Sequence, residues 1–191
     1  MSKLDDLLAD LTSGDETRAE AAVPEIVALG ADALDSVRAL LRSPDVDSRW
    51  WAIRTLAQAP RSQTESLLPL LEDESVEVRQ AAALGLANHP HETAIKPLVR
   101  ALRDADSLVS SLACAALIQI GEAAVPSLLE ISSDAPMPVR INAMRALAEI
   151  ADYRAIPAMM AALEEDSALL SHWAEEGLDR LGLNMVYLKP E

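Results

Sequence analysis

The sequence predicts an all-α solenoid, a stack of about six helical hairpins, and three observations predict it. The first is composition: half of the 191 residues are hydrophobic, yet only 3% are aromatic, none is Phe, and Ala and Leu dominate. Ala and Leu lose little entropy in a helix, whereas sheets favour β-branched and aromatic side chains. The second is a repeat. The segments that open at Arg18, Ser48, Val78, Val109, Val139 and Leu170 are one pattern written six times, their second residues (Ala19, Arg49, Arg79, Ser110, Arg140, Ser171) falling 30 or 31 positions apart. Self-similarity at such a period marks supersecondary units that bury their apolar faces only by stacking. The third is what each copy carries at fixed places. Alanine recurs at 22, 52, 82, 113, 143 and 174, and a large aliphatic follows four places later at Ile26, Leu56, Leu86, Leu117, Leu147 and Leu178. Steps of three and four define one buried stripe of a helix, with alanine where two helices approach closely.

Taken in order, the chain opens with "LDDLLADL", an amphipathic helix whose acidic face suits the exposed end of a stack. The repeated helices then stop at Gly30, Pro60, Pro90, Gly121, Ala151 and Gly182, mostly residues that end helices through backbone geometry. Between them lie "AIKPLVRALRD", "AAVPSLLEISSD" and "AIPAMMAALEED", in which Pro97, Pro126 and Pro157 fit a first helical turn because no intrahelical donor is lost there. Pro24 and Pro69 fall inside expected helices, and a kink or a late start is expected at each. The tail "LNMVYLKPE", residues 183–191, is apolar enough to cover the last repeat or to dock on a partner. Residues 1–191 are expected to form one repeat domain.

The pattern of an apolar helix ending in Asp, a short loop, and Val-Arg opening an alanine-rich helix resembles HEAT repeats, in particular the phycobilisome-lyase HEAT-like type. The resemblance covers essentially the whole chain and implies a right-handed, armadillo-like solenoid. It also implies a ladder between loops in which Asp pairs with the Arg six places later, here Asp73 with Arg79 and Asp134 with Arg140. Ser110 and Ser171 replace the Arg opposite Asp104 and Glu165, and Ser43 replaces the Asp before Arg49, so the ladder is expected to be broken there. The same resemblance implies two functional classes. One is a non-enzymatic scaffold that binds a protein or peptide; the other is a bilin lyase or chaperone-like subunit acting on a chromophore protein.

Charge narrows the partners. A formal net charge of −15 disfavours nucleic acid, whose binding is driven by clustered Lys and Arg, and disfavours an anionic membrane surface. The start has no cleavage-site pattern and no apolar run approaching a membrane span is read from the sequence, so a cytoplasmic location is expected. The single cysteine, Cys114, is expected to be a small buried apolar residue. Deoxyhypusine hydroxylase, also built of HEAT-like repeats, resembles this architecture and binds iron through His-Glu pairs. Here one such pair exists, His91 and Glu92, and with His89 it is expected to be a polar inter-helix turn, because a catalytic metal needs about three converging protein ligands. No catalytic, cofactor-binding or metal-ligating residues are assigned, and enzyme activity is not expected.

In HEAT repeats the helices that open with Val-Arg line the concave side, which implies the same here. Positions opposite the Ala/Leu stripe then face the groove: Glu20, Trp50, Gln80, Ser111, Ile141 and His172, one turn on Arg54, Leu84, Ala115, Arg145 and Glu176, and beyond them Gln58, Asn88, Gln119, Glu149 and Arg180. Trp50, Arg54, Gln58, Gln80, Leu84, Ile141, Arg145 and Glu149 are the candidate partner-binding residues. Large apolar and Arg side chains gathered on an exposed face suggest recognition, although Trp50 can also be covered by Arg54 at i+4. Trp51 and Trp173 lie on the flank that meets the neighbouring repeat and are expected to pack.

Overall fold

The computed structural model describes residues 2–60 and 63–183. Among them the regular structure is helical: α1 (Lys3–Leu11), α2 (Glu16–Leu29), α3 (Ala31–Leu40), α4 (Val46–Ala57), α5 (Thr64–Leu67), α6 (Val76–Asn88), α7 (Ile95–Ala101), α8 (Ser107–Ile120), α9 (Val125–Asp134), α10 (Met137–Ile150), α11 (Ile156–Leu163) and α12 (Ala168–Arg180), with 3-10 turns before or after several of them. Contacts divide the chain into two compact units, residues 1–94 and 95–191.

In the first unit α1 packs on α2, α3 on α4, and the 3-10 continuation of α5 on α6, while α2, α4 and α6 pack side by side. In the second, α7 packs on α8, α9 on α10 and α11 on α12, with α8, α10 and α12 adjacent. Each unit is thus a series of helical hairpins joined through their second helices. The reason is visible in the stripe: Ile26, Leu56, Leu86, Leu117, Leu147 and Leu178 are all fully buried, and the six alanines beside them are at most 2% exposed. Side chains this small let backbones approach, and area removed from water at about 25 cal/mol per Å² holds them together. Gly177 is the extreme case. A Cβ there would stand 2.9 Å from the Ala148 Cα and closer still to the Met159 thioether, so three helices meet at its bare Cα.

The helix starts are specified by short polar side chains. Asp15, Asp45, Ser75 and Asp106 cap α2, α4, α6 and α8 by accepting backbone N–H groups of the first turn. At the ends, Gly30, Gly121 and Gly182 take positive φ, and in the equivalent place Ala151 is left-handed (φ 54°, ψ 49°). Pro24 does not break α2, which runs unbroken through it with Pro24 exposed. At Pro69 the α-helix does give way: α5 is four residues long and the chain continues as a 3-10 helix over Leu68–Glu72.

Two expectations are corrected. The ladder does not pair Asp with the Arg six places on. The Arg49 Nη1 donates to the Ser43 carbonyl at 2.9 Å and its Nη2 donates to Asp73 Oδ1 at 2.8 Å, 24 residues downstream. Arg79 likewise donates to the Asp73 backbone carbonyl rather than to its carboxylate, and Arg140 donates to the Ser132 carbonyl and to the Glu165 carboxylate while Asp134 stays exposed. Arg49 and Arg140 therefore each hold a carbonyl of the preceding segment, which any residue supplies, and take a carboxylate from the next repeat. This is why both Nη atoms of Arg49 stay engaged although Ser43 replaces the Asp, while its buried Nε finds no acceptor among the described residues. The second correction concerns Ser107–Asp134, which is long and apolar enough by composition to span a membrane. It is two helices of 14 and 10 residues with a 3-10 turn between them and a positive-φ glycine at Gly121. Neither reaches the roughly 20 residues a membrane crossing requires.

Candidate functional site

Within the first unit, α4 presents Trp50 half-buried while Trp51 is 9% exposed. Their rings meet edge to face, centroids 4.9 Å apart and planes at 87°. Arg54, one turn on, lays its guanidinium over both, 5.7 Å from the Trp50 centroid and 6.0 Å from that of Trp51. It is held from the far side by Glu20 on α2: Nε donates to Oε2 at 2.9 Å and Nη2 to Oε1 at 2.6 Å. A two-pronged pair of this kind fixes the plane as well as the position of the guanidinium. The hydrogen bond from Arg54 holds the Glu20 carboxyl below its ordinary range, and the same bond raises the Arg54 pKa. Leu84 on α6 is 53% exposed, Gln58 at the end of α4 is exposed, and Gln80 is half-buried. The first unit thus offers a rigid aromatic platform whose cation is already neutralised.

Within the second unit, Arg145 on α10 donates through Nε to Glu149 Oε1 at 3.0 Å and stacks 5.5 Å from the Trp173 ring on α12. Ile141 is half-buried one turn before Arg145, and His172 lies against Trp173 with centroids 5.1 Å apart. Every predicted residue is at least partly accessible, and the two arginines each lie on a tryptophan. Neither arginine is a free cation: Glu20 holds Arg54 and Glu149 holds Arg145. The acids that quench them, Glu20 and Glu149, stood in the predicted rows; the spacing simply does not say which rotamers meet.

Other chemistry is weakly provided. Burial pushes the Cys114 thiol up to about 12, and its Sγ donates to the Asn142 carbonyl at 3.3 Å, so it remains a thiol at neutral pH. The His89 ring lies 3.3 Å from the Leu56 carbonyl, while His91 meets the Thr93 hydroxyl at 3.0 Å. No group of three metal-binding side chains converges among the described residues. Sequence reasoning overlooked Leu108, Met137 and Leu169, which are 50%, 42% and 57% exposed at the starts of α8, α10 and α12. They sit one turn before the predicted rows, where the stripe pattern no longer says which way a side chain faces. The tail beyond Leu183, expected to cap the last repeat or dock on a partner, lies outside the described residues.

A family model for HEAT repeats matches residues 64–138, and one for the PBS lyase HEAT-like repeat matches residues 139–165, so the two abut and together cover roughly half of the chain. No curated protein matches. Among solved structures, an archaeal HEAT-like repeats protein from Thermococcus onnurineus NA1 is similar at a TM-score of 0.67 with 14% identity, over 94% of this chain and 80% of that one. The complex of CpcE and CpcF of phycocyanin lyase from Nostoc sp. PCC7120 is similar at 0.60 with 24% identity, over 75% and 96%. A designed armadillo repeat protein in complex with the peptide (KR)4 is similar at 0.53 with 22% identity, over 96% and 100%. The repeat period, the alanine and leucine stripe, the stacked hairpins and both family matches agree: the chain belongs to the HEAT-repeat proteins.

Proposed function

We propose that this protein is a non-enzymatic scaffold or adaptor that binds another polypeptide on the face of its repeated helices. The observation that carries this reading is the Trp50, Arg54 and Glu20 cluster. A tryptophan left half-open, braced beneath by Trp51 and walled by an arginine that Glu20 locks in place, loses little side-chain freedom when a partner covers it. Trp and Arg are enriched among residues that dominate binding energy, and Leu84 extends the apolar surface on the next helix. In the second unit Ile141, Arg145 and Glu149 play the corresponding part. The net charge of −15 suits a cationic partner, and a designed repeat protein of similar fold is known with the basic peptide (KR)4 bound. The test is an affinity capture followed by mass spectrometry with wild type and W50A/L84S. A partner held by the wild type and lost from a double variant that is still fully folded at the capture temperature supports the reading; equal retention by both overturns this face.

A second reading has its own support: the PBS lyase HEAT-like match at 139–165 and the likeness to the CpcE and CpcF complex point to a lyase or chaperone-like subunit acting on a chromophore protein. Visible absorbance in the purified complex distinguishes it from the scaffold, which copurifies with a colourless partner.

A further inference from the structure

The row formed by Leu108, Met137 and Leu169 is apolar, exposed and repeated once per hairpin in the second unit. Each residue is first or second in its helix, and the Ser167 hydroxyl at the start of α12 lies 3.8 Å from the Met137 thioether, so the ends of α10 and α12 are neighbours. Beside the row stand the exposed carboxylates of Asp134, Glu164 and Asp166. Of the nearby cations, Arg140 is taken up by Ser132 and Glu165, and Arg103 is exposed at the edge. An apolar ridge bordered by unspent negative charge selects an occupant that is apolar on one side and cationic on its flanks.

The backbone of that occupant is also constrained. The first turns of α8, α10 and α12 read "SLVS", "MPVR" and "ALLS", with no Asn or Gln to hydrogen-bond an extended chain. An occupant that satisfies its own N–H and C=O groups avoids that cost, which means a helix. Packed helices lie about 8 to 10 Å apart, and a helix brings residue i+7 back to the same face after roughly 10.5 Å. From this juxtaposition we infer that the start of α8, α10 and α12 is a docking edge for a basic amphipathic helix of a partner protein, with an aliphatic residue at each seventh position. The inference rests on the polypeptide-binding reading above but uses a different surface.

The probe is a fluorescein-labelled 21-residue peptide of three heptads, Leu at the first and fourth positions and Lys flanking them, titrated by anisotropy against the full chain. Binding in the micromolar range at about 0.15 M salt is expected, weakened at least tenfold by L108S/M137S/L169S and several-fold by D134N/E164Q/D166N. L169S alone should weaken it about threefold, which keeps the test valid if the triple variant melts early. W50A should bind the peptide as the wild type does, so loss of the natural partner in W50A and loss of this peptide in the serine variants report separately. Equal affinity of wild type and the serine variants overturns the edge. So does undiminished binding of a peptide broken by a central Pro, which would mean an extended occupant, or cosedimentation with phosphatidylcholine vesicles that the serine variants abolish, which would mean a lipid surface.

Discussion

Trp51 is 9% exposed and supports the Trp50 ring edge-on, so truncation at the two positions has different costs. Trp51→Ala should destabilise by about 3 to 5 kcal/mol, because the cavity it leaves is closed poorly by rigid helices. Trp50→Ala should cost roughly 1 kcal/mol or less, since its ring is only partly covered and already meets solvent. Urea melting of both variants checks the order, and a Trp50 variant that is the less stable of the two would mean that the face is assigned to the wrong side of α4. Arg49 is the other residue whose removal is costly. Its side chain is 7% exposed and that of its partner Asp73 is 12% exposed, so Arg49→Ala leaves a nearly buried carboxylate without its cation. A loss of about 3 kcal/mol is expected in denaturant unfolding, because an orphaned buried charge costs more than the intact pair contributes. Asp73→Asn should also destabilise: its amide oxygen still accepts from Arg49, but the more buried guanidinium keeps only Glu74, 3.7 Å away and largely exposed, as a counter-ion.

Among the elements, α12 tests how tightly the hairpins mesh. Gly177→Ala improves intrinsic helix propensity by about 1 kcal/mol. The new methyl, however, would sit 2.9 Å from the Ala148 Cα, a backbone atom that cannot swing aside. Overpacking of this kind costs roughly 1 to 3 kcal/mol, so the variant should be net destabilised, with the loss visible in its melting temperature. Ala151 tests the opposite sign. Ala151→Gly at the left-handed end of α10 should gain up to about 1 kcal/mol, because three equivalent positions already use glycine and a Cβ is strained in that conformation. The stripe, the stops and the helical hairpins were legible in the sequence because each follows from local periodicity: Ala52 and Leu56 announce their burial by spacing alone. The Arg49–Asp73 and Arg54–Glu20 pairs were not, because each joins residues on different elements, 24 and 34 positions apart, and only packing decides which rotamers meet. Of the candidate site, the rows holding Trp50, Leu84 and Ile141 could be written down from helix geometry. The exposed starts at Leu108, Met137 and Leu169 lie beyond the reach of that periodicity.

Across the whole chain, stability should depend on pH with a definite sign. The carboxyls of Asp5, Glu20, Asp45, Asp152 and Glu165 are all held below their ordinary values by hydrogen bonds, from Ser2, Arg54, Ser48, Arg154 and Arg140 respectively, Asp152 to about 2. A carboxyl lowered in the folded state contributes stability that is present above its unfolded pKa and is lost as pH falls through its folded value. The net charge of −15 acts separately, through self-repulsion that eases as pH falls from 7 towards the carboxylate range and returns with positive sign below it, where sixteen Lys and Arg remain charged. Urea midpoints should therefore hold or rise slightly between pH 7 and about 5, then fall steeply below about 4, where both effects act together. A midpoint that keeps rising to pH 3 would mean that relief of repulsion dominates and the hydrogen-bonded carboxyls contribute little. The reach of Arg49 and Arg140 into the following repeat also gives the chain a direction in time. During synthesis Arg49 leaves the ribosome 24 residues ahead of Asp73, an interval of roughly 1 to 5 s at ordinary elongation rates. The repeats opened by Arg49 and Arg140 thus emerge with the clamp half-closed on a carbonyl and are locked when the successor arrives, so a nascent chain stalled just after either one carries at its growing end a cation still waiting for its carboxylate.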